Sequence, residues 1–111
     1  MVDEPEQYTL KDKKAIDLWL AGKNKWNEWV EKHPDANVDF RGVDFGEHRD
    51  KCDGGYILFE EYIFPNGDVS FYGAQFSGAG DVSFRNAQFS GDSDVSFSEA
   101  EFSGDGFVSF Y

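Results

Sequence analysis

VSFYGAQFSGAGD (residues 69–81), VSFRNAQFSGDSD (82–94), VSFSEAEFSGDGF (95–107) and VSFY (108–111) are successive copies of one thirteen-residue unit. Val69, Val82, Val95 and Val108 open the copies, and Phe71, Phe84, Phe97 and Phe110 follow two positions later. A second phenylalanine falls at Phe76, Phe89 and Phe102, a small apolar residue at Ala74, Ala87 and Ala100, and a glycine at Gly78, Gly91 and Gly104. Self-similarity at a short fixed period marks units that stack on their neighbours and are not stable alone. Such a stack offers a surface more readily than a cleft, so the repeat speaks to fold before it speaks to chemistry.

The pattern extends upstream. Phe40 and Phe45, and then Phe59 and Phe64, keep the same spacing of five. Each phenylalanine but Phe107 has an apolar residue two positions before it, from Val38 and Val43 through Ile57 and Tyr62 to Val108. Residues i and i−2 of an extended segment face the same way. Phe40, Phe45, Phe59, Phe64, Phe71, Phe76, Phe84, Phe89, Phe97, Phe102 and Phe110 are therefore the expected core, with Ser70, Ser83, Ser96 and Ser109 turned outward. Residues 46–55 break the order with a polar stretch ending in Gly54-Gly55 and read as an inserted loop, and Pro65-Asn66-Gly67 reads as a turn. Before the repeats, Thr9 reads as the N-cap of a first helix that carries Leu10, Ile16, Leu18, Trp19 and Leu20. Gly22 ends it. Trp26, Trp29 and Val30 then give the apolar side of a second helix over 23–33, stopped by Pro34.

Units such as Val38-Asp39-Phe40-Arg41-Gly42, Val69-Ser70-Phe71-Tyr72-Gly73 and Ala74-Gln75-Phe76-Ser77-Gly78 resemble the pentapeptide-repeat family. The run Trp26-Asn27-Glu28-Trp29 looks like the Trp-Asn-x-Trp helix that precedes the repeats in many of its members. The resemblance covers about residues 19–111 and implies a right-handed, four-sided β-helix. The expected fold class is thus mainly β: a right-handed parallel β-helix, a pentapeptide-repeat solenoid, with a short α-helical N-terminal cap. Residues 1–36 are the acidic tail and helical cap, with Trp19, Trp26 and Trp29 as its anchors, and residues 37–111 are the repeat. Extra tripeptides such as Ala79-Gly80-Asp81 depart from the plain five-residue rhythm. Since a phenylalanine pair supplies two of four sides, the expected stacking puts Phe71 on Phe97 and Phe84 on Phe110; the rival puts Phe71 on Phe84.

The net charge of −12 disfavours direct binding to nucleic acid or to an anionic membrane. Residues 67–111 hold seven acidic side chains and only Arg85 as a base. Cys52 is the sole cysteine, which excludes an intramolecular disulfide. No apolar run reaches the ~20 residues of a membrane helix, and no basic-then-apolar leader opens the chain, so a cytoplasmic protein is expected. His48, Cys52 and Asp53 lie close in sequence, but one histidine and one cysteine do not make a four-ligand zinc site, nor is there a base fixed to activate the thiol. Asp68, Asp81 and Asp94 recur beside glycine as in calcium-binding rolls, yet the period and the glycine run differ, and corner turns account for them. The serine column at 70, 83, 96 and 109 is single, unlike the paired ranks of ice-binding surfaces.

No grouping of acid, base and nucleophile appears. The expectation is therefore no enzyme, no cofactor and no metal. A non-enzymatic scaffold for protein–protein interaction or self-association fits, with an unidentified protein partner or a homodimer through the open C-terminal end, where the chain stops just after Phe110 begins a further pair. The alternative is an acidic mimic of DNA acting on DNA gyrase, as inhibitor or in quinolone protection, which some members of the resembled family are. Its candidate acidic face is Asp68, Asp81, Asp94, Glu99 and Glu101, extended by Asp92 and Asp105.

Overall fold

The computed structural model describes residues 8–78, 80–89, 94–103 and 106–110. The acidic tail at 1–7, Asp92, Asp105 and the terminal Tyr111 lie outside the described residues. In chain order the elements are β1 (Thr9–Lys11), α1 (Asp12–Leu20), α2 (Lys23–Lys32), β2 (Asn37–Asp39), two 3-10 segments (Phe45–Lys51 and Asp53–Gly55), β3 (Ile57–Leu58), β4 (Ile63–Phe64), β5 (Val69–Ser70), β6 (Val82–Ser83), β7 (Gln88–Phe89), β8 (Val95–Ser96) and β9 (Val108–Ser109). The strands form three parallel sheets, ordered β1-β2-β5-β8, β3-β6-β9 and β4-β7.

This arrangement corrects the expected class of a mainly β, right-handed parallel β-helix with a short helical cap. The chain is a mixed α/β structure: helical segments hold more of the described residues than strands do, no strand exceeds three residues, and the strands divide among three separate sheets. The physical reason lies in the turns. After five of the phenylalanines the chain reverses at once, with the Phe carbonyl accepting the N–H three residues on: Val43 on Phe40, Tyr62 on Phe59, Ala74 on Phe71, Ala87 on Phe84 and Ala100 on Phe97, at 2.9–3.2 Å. The third residue of each turn is left-handed, with φ of 70° at Gly42, 65° at Glu61, 67° at Gly73, 59° at Asn86 and 62° at Glu99. That is the type II pattern, and it leaves only two residues between corners to pair as strand. The stretch 46–55 also contributes helix, since it lies largely within the two 3-10 segments.

Register sorts the chain into layers. Val38, Val69 and Val95 align in one column and Ile57, Val82 and Val108 in a second. Phe64 aligns with Phe89, and Asp44, Gln75 and Glu101 form a fourth column. We call the described residues within 37–64, 69–89 and 95–110 the first, second and third layers. Rings stack along the same columns: Phe40 on Phe71 on Phe97 (5.3 and 4.7 Å between centroids), Phe45 on Phe76 on Phe102 (4.9 and 4.7 Å), Phe59 on Phe84 on Phe110 (4.9 Å each) and Phe64 on Phe89 (4.5 Å). These separations match the ~4.8 Å between neighbouring strands. Phe71 therefore stacks on Phe97; it meets Phe84 only edge-on, at 86°.

The tryptophans start two of these columns. Trp26 stacks on Phe40 (5.9 Å, 15°) and Trp19 on Phe59 (5.4 Å, 14°). Their indole N–H groups donate to the carbonyls of Ile63 and Leu58, each at 2.9 Å. Asn27 holds the same edge, donating to the Glu61 carbonyl at 3.0 Å and accepting the Ile63 N–H at 2.8 Å, while Lys23 pairs with Glu61. The helices thus satisfy backbone groups of β3 and β4 that a preceding strand would otherwise satisfy. Trp29 differs from the other two: it is half-buried and packs against Tyr8 and His33.

Thr9 is not a helix cap. Thr9 to Lys11 pair in parallel with Asn37 to Asp39, so Leu10 is buried as a strand residue and α1 begins at Asp12 after an uncapped Lys11. Gly22, at φ 101°, makes the bend between the helices. The predicted core also needs correction. Phe40, Phe45, Phe59, Phe64, Phe71, Phe76 and Phe84 are at most 2% exposed, Phe89 and Phe97 are half-buried, and Phe102 and Phe110 are exposed. Position in the stack decides this: among the described residues Phe97, Phe102 and Phe110 in the third layer, and Phe89 in the second, each have a stacked ring on one side only. Ser83 departs from the outward set, buried beneath Glu60, whose carboxylate accepts its hydroxyl at 2.7 Å.

Candidate protein-binding face

The repeat's small polar residues turn out to serve the backbone. Ser70, Ser83 and Ser96 each accept the N–H two residues on, from Tyr72, Arg85 and Ser98, at 3.2–3.3 Å. Asp39 does the same for Arg41 at 3.0 Å and pairs with the Arg41 guanidinium. Partial burial alone would raise the Asp39 carboxyl, but the hydrogen bonds and charge of Arg41 hold it below its ordinary value.

Three further side chains step from layer to layer. Asn37 accepts the Asp68 N–H at 2.8 Å, Asp68 accepts the Asp94 N–H at 3.2 Å, and Asp81 accepts the Phe107 N–H at 2.9 Å. The corner aspartates are thus acceptors for the strand of the layer that follows. The five acidic residues singled out from sequence do not form one stripe. Asp68 and Asp94 share a corner column, Asp81 lies at the corner before β6, Glu99 sits in a turn, and Glu101 belongs to the column of Asp44 and Gln75.

The structure gathers exposed apolar groups in the third layer. Val95, Phe102, Val108 and Phe110 are 38–54% exposed, whereas Val69, Phe76, Val82 and Phe84, one layer back in the same columns, are at most 3% exposed. Phe107 is 80% exposed. A group of exposed large apolar side chains is what a docking surface looks like. The backbone of this layer is open as well. In the second layer the N–H groups of Phe71, Gly73, Phe76 and Phe84 donate to carbonyls of the third, at 2.7–2.9 Å. Among the described residues, their third-layer counterparts at Phe97, Glu99, Phe102 and Phe110 have no acceptor. The repeat hid the exposure of the individual residues, because Val95, Phe102, Val108 and Phe110 are identical in type to Val69, Phe76, Val82 and Phe84 one layer back; Phe107 stands where the layer before has Asp81.

The region of His48 and Cys52 lies elsewhere, beside the helices. Cys52 lines a cavity of about 160 Å³ with Trp19, Leu20, Gly22, Tyr56 and Tyr62. Burial pushes its thiol above the ordinary value, with Asp50 adding to the rise and Arg49 opposing it, and the thiol donates to the His48 carbonyl at 3.2 Å. Asp53 lies in the second 3-10 segment. Among the described residues no three of His, Cys, Asp and Glu gather closely enough to hold a metal ion. Arg49 is buried and bonds the carbonyls of Ser77 (2.6 Å) and Gly55 (2.8 Å), tying the first 3-10 segment to the second layer; its Nη2 is enclosed without a partner among the described residues. Among the described residues no helix is long and apolar enough to cross a membrane.

No protein-family model matches the chain, and no curated protein and no solved structure matches it. The resemblance to pentapeptide-repeat proteins therefore rests on the residues that carry it.

Proposed function

We propose that this protein is a non-enzymatic, cytoplasmic binding scaffold that engages another protein through the third layer. The observation that supports this reading is the contrast along single columns: Phe84 is 2% and Phe110 54% exposed, although the two rings stack 4.9 Å apart with planes 3° apart. A fully buried phenylalanine contributes roughly 2–3 kcal/mol. Covering Phe107, Phe110, Phe102, Val95 and Val108 is accordingly a large driving force for association.

Site-specific photo-crosslinking tests the reading. A benzoylphenylalanine placed at Phe107 should give a discrete protein adduct on illumination in cells, with a second copy or another protein, while the same probe at Tyr72, 50% exposed in a second-layer turn, should give none. Equal labelling at both positions, or none at Phe107, would overturn it.

A further inference from the structure

We propose that the cavity beside α1 and β3 is a binding site for a small monocyclic aromatic carboxylate. The site is separate from the third layer and does not rest on it. Its volume of about 160 Å³ suits a guest of one ring, since an apolar protein cavity of about 150 Å³ takes up benzene. The walls suit a ring as well. Trp19 and Tyr62, both buried, line it together with the half-buried Leu20, Leu58 and Cys52. The chain bends past it at Gly22, where an added Cβ would meet no atom within 4 Å.

The polar atoms of these walls are already engaged within the protein. The Trp19 indole N–H donates to the Leu58 carbonyl at 2.9 Å, the Tyr62 hydroxyl to the Trp19 carbonyl at 2.8 Å and the Cys52 thiol to the His48 carbonyl at 3.2 Å. Burial raises the Cys52 thiol above its ordinary value, so it stays neutral and serves as wall. The walls therefore offer a guest aromatic and aliphatic surface. A polar ligand such as a sugar would give up its water there without replacement hydrogen bonds.

The sign of the guest's charge follows from Lys51. It is the only charged residue among the described residues that line the cavity, it is exposed, and among the described residues it makes no ion pair. Tyr56 lines the cavity too and is 45% exposed. The cavity thus runs from an aromatic floor at Trp19 and Tyr62 to a surface end that carries a free cation. Arg49 and Asp50 act on the Cys52 thiol in opposite senses, which leaves Lys51 to decide. A ring bearing one carboxylate matches both ends: the ring meets the aromatic floor and the anion meets the ammonium.

Cys52 is the sole cysteine of the chain and part of the wall, so its alkylation reports occupancy at this place. The test is the rate of labelling of the full chain by iodoacetamide, followed by mass spectrometry, with benzoate, benzylamine or acetate present at equal ionic strength. Benzoate at about twice its Kd should slow labelling roughly threefold. Acetate should leave the rate unchanged, and benzylamine should protect less than benzoate. Lys51→Gln, a change at an exposed position, should weaken benzoate roughly two- to fivefold and bring it level with benzylamine, with circular dichroism checking that the fold is kept. No protection by benzoate, equal protection by acetate, or equal protection by benzylamine in the parent chain would each overturn the proposal. So would a Lys51→Gln variant that separates the two ring compounds as well as the parent does.

Discussion

Trp19 lies over Phe59 with ring planes 14° apart and its indole N–H 2.9 Å from the Leu58 carbonyl. One side chain thus replaces both a ring of the stack and a donor of the strand ladder. Trp19→Phe keeps the ring and removes the donor, leaving a part-buried carbonyl unpaired. The expected loss is about 1–2 kcal/mol. Trp19→Ala also opens a void above Phe59 and should cost about 3–5 kcal/mol. Urea unfolding of the two variants separates the contributions.

Phe84 touches Phe59 and Phe110 face-on and Phe71, Phe76 and Phe97 edge-on. Phe84→Ala should cost about 3–5 kcal/mol. Phe110→Ala, at the same place in its unit but 54% exposed, should cost no more than about 1 kcal/mol. Equal losses would show that the third layer is covered in solution.

Glu99 occupies the left-handed turn position that Gly42 and Gly73 fill elsewhere, with φ of 62°. Side chains other than glycine resist this conformation, by roughly 1–2 kcal/mol. Glu99→Gly should raise stability by up to about 1 kcal/mol, once the greater freedom of the unfolded glycine is set against the relieved strain. Gly106→Ala should act the other way, because an added Cβ would run into the backbone of Gly80 in the layer before. Thermal melting of both variants reads the opposite signs.

Tyr62 is buried, and its hydroxyl donates to the Trp19 carbonyl at 2.8 Å. Desolvation raises its phenol above the ordinary value of 10.0, and Cys52 adds to the rise. A group whose pKa is raised on folding adds stability in its protonated form. That stability is fully present below pH 10.0 and is lost as the pH climbs above it. Chemical unfolding between pH 8 and 11 (values on the scale of the ordinary tyrosine pKa of about 10) should show a fall that Tyr62→Phe flattens. The variant should also be weaker near neutrality by about 1 kcal/mol.

The spacing of the phenylalanine pairs was legible from the order of residues; the stacking of Phe71 on Phe97 was expected only from the four-sided coil that the family resemblance implies, with Phe71 on Phe84 as its rival, and the face-on stacking at 4.7 Å decides between them. The helices over 12–20 and 23–32 were legible from Trp19, Trp26 and Val30. Strand β1 was not. Thr9-Leu10-Lys11 has the local chemistry of a helix start, and its partner Asn37–Asp39 lies a whole helix pair away, so tertiary pairing overrides local preference. The left-handed turns at Glu61 and Glu99 were hidden for a similar reason, since glutamate does not announce a positive φ as glycine does. These turns cut the strands to two residues and make mainly β the wrong class. The exposure of individual rings was hidden by repetition itself: Phe76 and Phe102 sit at the same place in their units, and only their layer separates buried from exposed.

Because each unit seats the next, the layers also set an order in time. Asp68 and Asp81 hold out carboxylates for amides that lie 26 residues later in the chain. A ribosome releasing this chain therefore delivers the tryptophan lid first, then each layer in the order in which it has somewhere to land, with only a short search at each step. Amide exchange of the finished protein should show the same history in reverse: the amides of the third layer exchange first, those of the second more slowly, and those beneath Trp19 and Trp26 last.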